Sequence, residues 1–258
     1  MKKLWKACAI AFSMYSRVPM PQVTWNEENM KYAICFFPLV GAVIGGVLYG
    51  WYLLCGLLGF NAWIWSAVAA AIPTLVTGGI HMDGFCDTSD ALASHQPMER
   101  KLEIMKDSHA GAFAIVNVGV YFLLYCAVFT QMSESGVLVA AIGMVLSRTL
   151  SGLSVVQFKT AKSSGLAAAF HDAAHKKKVT FVLLAVLVGI VAAAVMAAPV
   201  QGSAMVFCTM GTFAYYRWMS YKMFGGITGD VAGYFLVLCE LILAYGIVVA
   251  ERCIQLWN

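Results

Sequence analysis

The sequence predicts an all-α fold: a polytopic integral membrane bundle of about seven transmembrane helices, with an N-terminal helix lying in the interface. Three observations carry this. Of the 258 residues, 61% are hydrophobic and only 12% charged, about half the charged fraction of an ordinary soluble domain. Seven apolar stretches reach the roughly 20 residues that a spanning helix needs, because every backbone polar group in hydrocarbon must be satisfied within its own segment. Lysines and arginines fall on alternate connections, as they do when short cytoplasmic loops hold the positive excess.

The first element, MKKLWKACAIAFSMYSRVPMP at 1–21, begins like a secretion signal. Its apolar run is short, is interrupted by Ser13 and ends at Arg17 and Pro19 without a small-residue cleavage pattern. An uncleaved helix in the cytoplasmic interface suits Trp5, Lys6 and Arg17 better. Spans are then expected at 34–58, 61–80, 111–130, 136–156, 179–199, 202–220 and 231–250. With the N-terminus inside, the inner side collects Lys2, Lys3, Lys6, Arg17, Lys31, Arg100, Lys101, Lys106, Lys159, Lys162, Lys176, Lys177, Lys178, Arg217 and Lys222. The outer side has only Arg252, and Arg148 lies inside a span. The expected topology is therefore multi-pass, with the N-terminus cytoplasmic.

No linker or composition shift divides the chain, so 1–258 reads as a single membrane-embedded domain. The outer connections at 59–60, 131–135 and 198–201 are very short. The long loops, 81–110, 157–178 and 221–230, face the cytoplasm and carry the hydrophilic residues, which places the expected chemistry there. The formal charge of +4 follows from this topology and gives no nucleic-acid footprint, which needs a basic stripe on a folded surface. Eight cysteines are scattered singly, six of them (Cys8, Cys35, Cys55, Cys126, Cys208 and Cys239) in apolar runs, where a thiol behaves as a small hydrophobe. Small residues at 41–46 and 67–72 permit close helix packing within one chain or between chains, so the oligomeric state stays open.

The densest chemistry is TGGIHMDGFCDTSDAL, 77–92. Asp83, Asp87 and Asp90 are spaced i, i+4, i+7 and line one face of a helix. Three carboxylates so close repel one another unless a cation sits among them. Magnesium suits them, since it takes oxygen ligands and leaves positions for water and substrate phosphates. The plainer reading is three aspartates that end a helix and face water. Aspartates at the C-terminal end of a span oppose the helix dipole, and Gly78, Gly79 and Gly84 weaken a helix by about 1 kcal/mol each. Local rules broken together point to function, and glycines there let backbone approach a ligand.

GGITGDVAG at 225–233 repeats the spacing GGIxxD. The echo is either coincidence or the second half of a site, in which Gly225 and Gly226 deliver Asp230 as Gly78 and Gly79 deliver Asp83. A third stretch, RKLEIMKDSHAGAFA at 100–114, mixes Arg100, Lys101, Lys106, Asp107, Ser108 and His109. Lys106 suits phosphate as a point charge and His109 as a donor or proton carrier; an amphipathic interfacial helix explains the same residues. Arg148 and Glu240 lie deep in their spans, where a lone charge costs about 2.5–3.5 kcal/mol, so they pair or serve the site. His171 and His175 sit in a lysine-rich loop that repels cations. His81 adjoins the aspartates, but magnesium prefers oxygen.

FSMYSRVPMP, FPLVGAVIGG, TGGIHMDGFCDTSDAL, RKLEIMKDSHAGAFA, the SR at 147–148 and GGITGDVAGYFLVLCE, in this order over residues 12–240, together resemble the cobalamin synthase family, the adenosylcobinamide-GDP ribazoletransferases. The resemblance implies an inner-membrane enzyme joining GDP-activated adenosylcobinamide to α-ribazole or its 5′-phosphate, with Mg²⁺ required and GMP released. It makes Asp83, Asp87, Asp90, Asp230 and Glu240 the metal ligands, Asp107 the proton acceptor ahead of Asp90, Lys106 and His109 the phosphate contacts, and Gly78, Gly79, Gly225, Gly226 and Arg148 the remaining substrate contacts. Two positions depart from the family pattern: His109 stands where arginine is common, and Val237 where an additional acidic residue is frequent. Two rivals are a CDP-alcohol phosphotransferase-like lipid synthase, whose DGxxAR followed by GxxxDxxxD is missing, and a cation transporter, which needs deep carboxylates in several spans.

Overall fold

The computed structural model describes residues 2–107 and 109–257, and these form helices and connections with a single two-stranded bridge between Thr160 and Ile227. In chain order the helices are α1 (Lys2–Tyr15), α2 (Glu27–Met30), α3 (Phe37–Leu58), α4 (Ala62–Thr77), α5 (Ile80–Ala93), α6 (Met98–Ile104), α7 (Ala112–Thr130), α8 (Glu134–Gln157), α9 (Leu166–Ala173), α10 (Lys176–Ala197), α11 (Pro199–Phe224) and α12 (Gly229–Trp257).

Five of the expected spans are helices long and apolar enough to cross a membrane: Glu27–Leu58, Ala112–Thr130, Glu134–Gln157, Lys176–Ala197 and Gly229–Leu256. The chain is thus a multi-pass membrane bundle. α4 and α5 meet the same test only as a pair and bend by 97° between them, so the expected span 61–80 ends at a sharp break and α5 turns away from the axis of α4. The expected span 202–220 lies in α11, which at 26 residues is about 39 Å long but less apolar than the others. Four of its polar residues are turned inward: Thr209, Thr212, Tyr216 and Ser220 are all buried, and the Tyr216 hydroxyl meets that of Ser154 on α8 at 3.2 Å.

Burial ranks the helices from centre to rim. The apolar stretch of α8 is 83% buried, against 22% for α10. α8 is therefore the axis on which α3, α10, α11 and α12 pack, while Phe181, Leu184 and Val188 of α10 and Ile115, Val120 and Leu123 of α7 stay exposed as the lipid-facing rim. Small residues let α3 approach α8 within the chain: a side chain at Gly41 or Gly45 would strike the backbone of Met144 or Ala141. α1 buries Ala7, Ile10, Ala11 and Phe12 and leaves Leu4 and Trp5 exposed, the two-faced pattern of an interfacial helix.

Candidate active site

Two glycine pairs shape the site. Gly78 (φ 68°) and Gly79 (φ 87°) both adopt left-handed backbone, which few residues other than glycine tolerate. They end α4 at Thr77 and start α5 at Ile80. Asp83 then falls in the first turn of a new helix, where the dipole favours a carboxylate. The sequence expectation of a span running to residue 80, with its aspartates at the disfavoured end, is corrected by this break. Gly225 (φ 73°) closes α11 in the same way, and Asp230 lies in the first turn of α12. A side chain at Gly226 would collide with the Lys159 carbonyl. The segment 159–161 pairs there with Ile227, whose N–H donates to the Lys159 carbonyl at 2.8 Å while the Ala161 N–H donates to the Ile227 carbonyl at 2.8 Å.

α5 and α12 then cross at contact distance. A Cβ on Gly84 would lie 2.6 Å from the Asp230 carbonyl oxygen, and one on Gly233 would lie 3.0 Å from that of His81. This crossing puts Asp83 and Asp230 on the wall of one cavity of about 380 Å³, with Tyr15, Phe37, His81 and Lys162 also lining it. A second cavity, about 390 Å³, opens on the far side of Asp87 and is lined by Asp87, Asp90, Arg100, Asp107 and His109. Asp87 is half-buried, and its pKa is pushed up to about 6 by that burial and then by Asp83, Asp230 and Asp90. The carboxylates thus lie within one another's field.

The three regularly spaced aspartates do different things. Asp90 accepts the Gly111 N–H at 2.6 Å and the Ala114 N–H at 2.9 Å, so both of its oxygens cap the N-terminus of α7. Asp83 and Asp87, among the described residues, have neither an ion-pair partner nor a side-chain hydrogen bond. Asp107 is exposed and accepts both the backbone N–H of His109, at 3.0 Å, and its ring nitrogen, at 2.9 Å. Those bonds hold its carboxyl below the usual range. Ser108 lies outside the described residues. Lys106 is exposed and lines neither cavity; Gly78, Gly79, Gly225 and Gly226 also line neither and set backbone direction instead.

Deeper in the bundle, Arg148 Nη1 pairs with Glu240 Oε1, and the two residues are only 1% and 2% exposed. Arg148 also donates to the Ser147 hydroxyl at 3.0 Å. This pair borders a small void with Thr77, His81 and Val237, and His81 is the wall it shares with the first cavity. Glu240 thus has its charge matched within the protein, unlike Asp83 and Asp87.

The donor set suits magnesium in one specific way. Among the described residues no three His, Cys, Asp or Glu side chains converge as a ready metal cage. Magnesium needs none, because it is commonly held by one or two carboxylates with phosphates and water completing its shell. Asp83 and Asp87, adjacent turns of α5 and unpaired, are such a couple. The residues that sequence reasoning left out, Tyr15, Phe37 and Lys162, reach the site by tertiary folding; for Lys162 the only local signal was its place in a long hydrophilic loop.

A family model described as cobalamin-5-phosphate synthase matches residues 7–248. The chain belongs to the cobalamin-5-phosphate synthase family. It is accordingly an enzyme of cobalamin biosynthesis. A relative in Lachnoclostridium phytofermentans is 49% identical, over 95% of this chain and 94% of its own length. Relatives in Clostridium botulinum and Clostridium perfringens are 32% and 31% identical, covering 94% and 96% of this chain and 96% and 100% of their own. All three carry the name adenosylcobinamide-GDP ribazoletransferase. No solved structure matches the chain.

Proposed function

We propose that this chain joins GDP-activated adenosylcobinamide to α-ribazole or its 5′-phosphate and releases GMP, at the cytoplasmic face of the inner membrane. The relatives' names supply the substrates, and the surplus of lysine and arginine on the inner connections supplies the sidedness. The observation that carries the reading is the α5–α12 crossing, which gathers Asp83, Asp87 and Asp230 from two glycine turns with, among the described residues, no protein cation paired to Asp83 or Asp87.

In this reaction the 3′-hydroxyl oxygen of the ribazole forms a bond to the phosphorus that carries cobinamide. The bond from that phosphorus to the GMP oxygen breaks, and GMP leaves with the electron pair. Such transfers depend on positioning and charge neutralisation. Asp83 and Asp87 would hold Mg²⁺, which when bound neutralises charge on the diphosphate and on the departing phosphate. The helix N-termini of α5 and α12 face the same region and favour phosphate oxygens. Arg100 and His109, on the second cavity, supply further donors to phosphate, with Lys106 at its approach.

The hydroxyl proton needs an acceptor within reach. Asp107 is held as a weak base by His109 and lies on the second cavity, and Asp90 is occupied as a cap. We therefore assign the proton to Asp230, which shares the first cavity with Asp83. Purified full-length protein given adenosylcobinamide-GDP, α-ribazole and Mg²⁺ is expected to release GMP. No GMP under these conditions would overturn the assignment. Asp230→Asn is expected to lower kcat by about 10²–10⁴-fold without changing the magnesium requirement.

A further inference from the structure

The cavity of about 380 Å³ between α1, α3, α5, α8 and α12 has two unlike halves. Its inner wall is apolar and aromatic, and its rim carries Asp83, Asp230 and Lys162. In the inner half three rings cluster: Tyr15 and Phe37 have tilted rings with centroids 4.3 Å apart, and the His81 ring stacks on Tyr15 at 6.1 Å and lies tilted 5.9 Å from Phe37. His81 is only 8% exposed, and among the described residues neither of its ring nitrogens has a hydrogen-bond partner. A buried imidazole left unpaired costs stability. Such a residue in a ligand-sized cavity is the pattern of a site whose partner arrives from outside.

Resting on the reaction proposed above, we infer that this cavity is the nucleoside subsite: the aromatic base of the ribazole enters against Tyr15, Phe37 and His81, and its ribose stays at the carboxylate rim. Three features select this occupant. The volume sits near the lower end of the roughly 300–1,000 Å³ of small-molecule sites, which admits a nucleoside and excludes a corrinoid macrocycle. The polarity gradient matches a flat aromatic base bearing a hydroxylated sugar, with offset ring contacts available on the inner wall. The unsubstituted ring nitrogen of a benzimidazole-type base is an acceptor, and a neutral imidazole offers it an N–H. With the base inside, the sugar hydroxyls meet Asp83 and Asp230, and a 5′-phosphate lies toward Lys162. The bulky corrinoid then reaches the reacting phosphorus from the second cavity and the surrounding open surface.

The test uses the full-length protein and two readouts. In steady-state GMP release, His81→Leu is expected to raise KM for α-ribazole at least tenfold and to leave KM for adenosylcobinamide-GDP within about twofold. Ser151→Val, which narrows the cavity from α8 without touching the aromatic wall, is expected to give the same split and covers the case in which His81→Leu does not fold. Equilibrium dialysis of labelled α-ribazole, with no second substrate, is expected to show binding to the wild type that both variants weaken in parallel. This arm separates the two ideas: binding lost in the variants when even the wild type releases no GMP supports the subsite and rejects the reaction. Unchanged α-ribazole KM and binding in folded variants would overturn the subsite, as would a rise confined to adenosylcobinamide-GDP.

Discussion

Two groups of intramembrane or boundary charges sit less than a cavity apart in this bundle and live under opposite rules. Arg148 and Glu240 are sealed from solvent and matched to each other. Asp83 lines the first cavity and Asp87 the second; they share a helix and have no cation of their own among the described residues. Burying a charge is tolerated when it is paired and hydrogen-bonded, and the first group supplies its own countercharge, although the Arg148 Nε has no hydrogen-bond partner among the described residues. Repelling carboxylates at a cavity are left short of positive charge, and a ligand must bring it. The difference separates scaffold from site more sharply than depth in the membrane does.

The largest effect that tests this contrast is expected at Asp83. Asp83→Ala at saturating magnesium is predicted to lower the rate of GMP release by about 10³-fold, the scale of losing a main electrostatic contact to a transition state, read as kcat on a folded variant. The buried pair should respond in stability instead. Arg148→Met alone is predicted to cost about 3–5 kcal/mol, because it strands Glu240, whereas Arg148→Met with Glu240→Leu recovers most of that loss. Chemical denaturation in detergent measures both, and GMP release by the double variant should remain within about tenfold of wild type. A collapse of activity in the stable double variant would move the pair from scaffold to site.

The crossing that joins the two halves comes next. Gly84→Ala places a methyl against the Asp230 backbone and is predicted to cost about 1–3 kcal/mol by overpacking, with turnover falling by about 10–100-fold as Asp83 and Asp230 separate. The smallest effect is a pH signature. The pKa of Asp87 in the folded chain, about 6, lies above its ordinary value of 3.8. Its contribution to stability is therefore fully present below that ordinary value and lost as pH rises through 6. In magnesium-free buffer Asp87→Asn is predicted to melt at a higher temperature than wild type at neutral pH and together with it under strongly acid conditions. Solvent screening of this half-exposed carboxylate keeps the gain small.

Much of this was legible in the sequence because it is local. Hydropathy over 20-residue windows locates α3, α7, α8, α10 and α12, and the i, i+4, i+7 spacing of the aspartates does define a helix. The echo between GGIHMD and GGITGD marks two turns that share one construction and one cavity wall. What escaped is set by contacts between distant segments. Asp90 matches Asp83 and Asp87 in sequence, yet becomes a cap because Gly111, 21 residues on, arrives above it. The end of α4 at Thr77 was hidden because apolar residues continue to Ile80, and only backbone geometry at Gly78 and Gly79 stops the helix. Tyr15 and Phe37 read as ordinary membrane aromatics until α1 and α3 close on α5. α11 is the reverse case: Thr209, Thr212, Tyr216 and Ser220 dilute its hydropathy yet are buried among neighbouring helices.

The most direct measurement is the magnesium dependence of GMP release by wild type and by Asp87→Asn under identical conditions. If Asp83 and Asp87 hold the metal against the diphosphate, the variant requires at least tenfold more magnesium for half-maximal rate and remains slower at saturation. A variant with the wild-type magnesium curve and wild-type turnover would show that these carboxylates do not hold the metal.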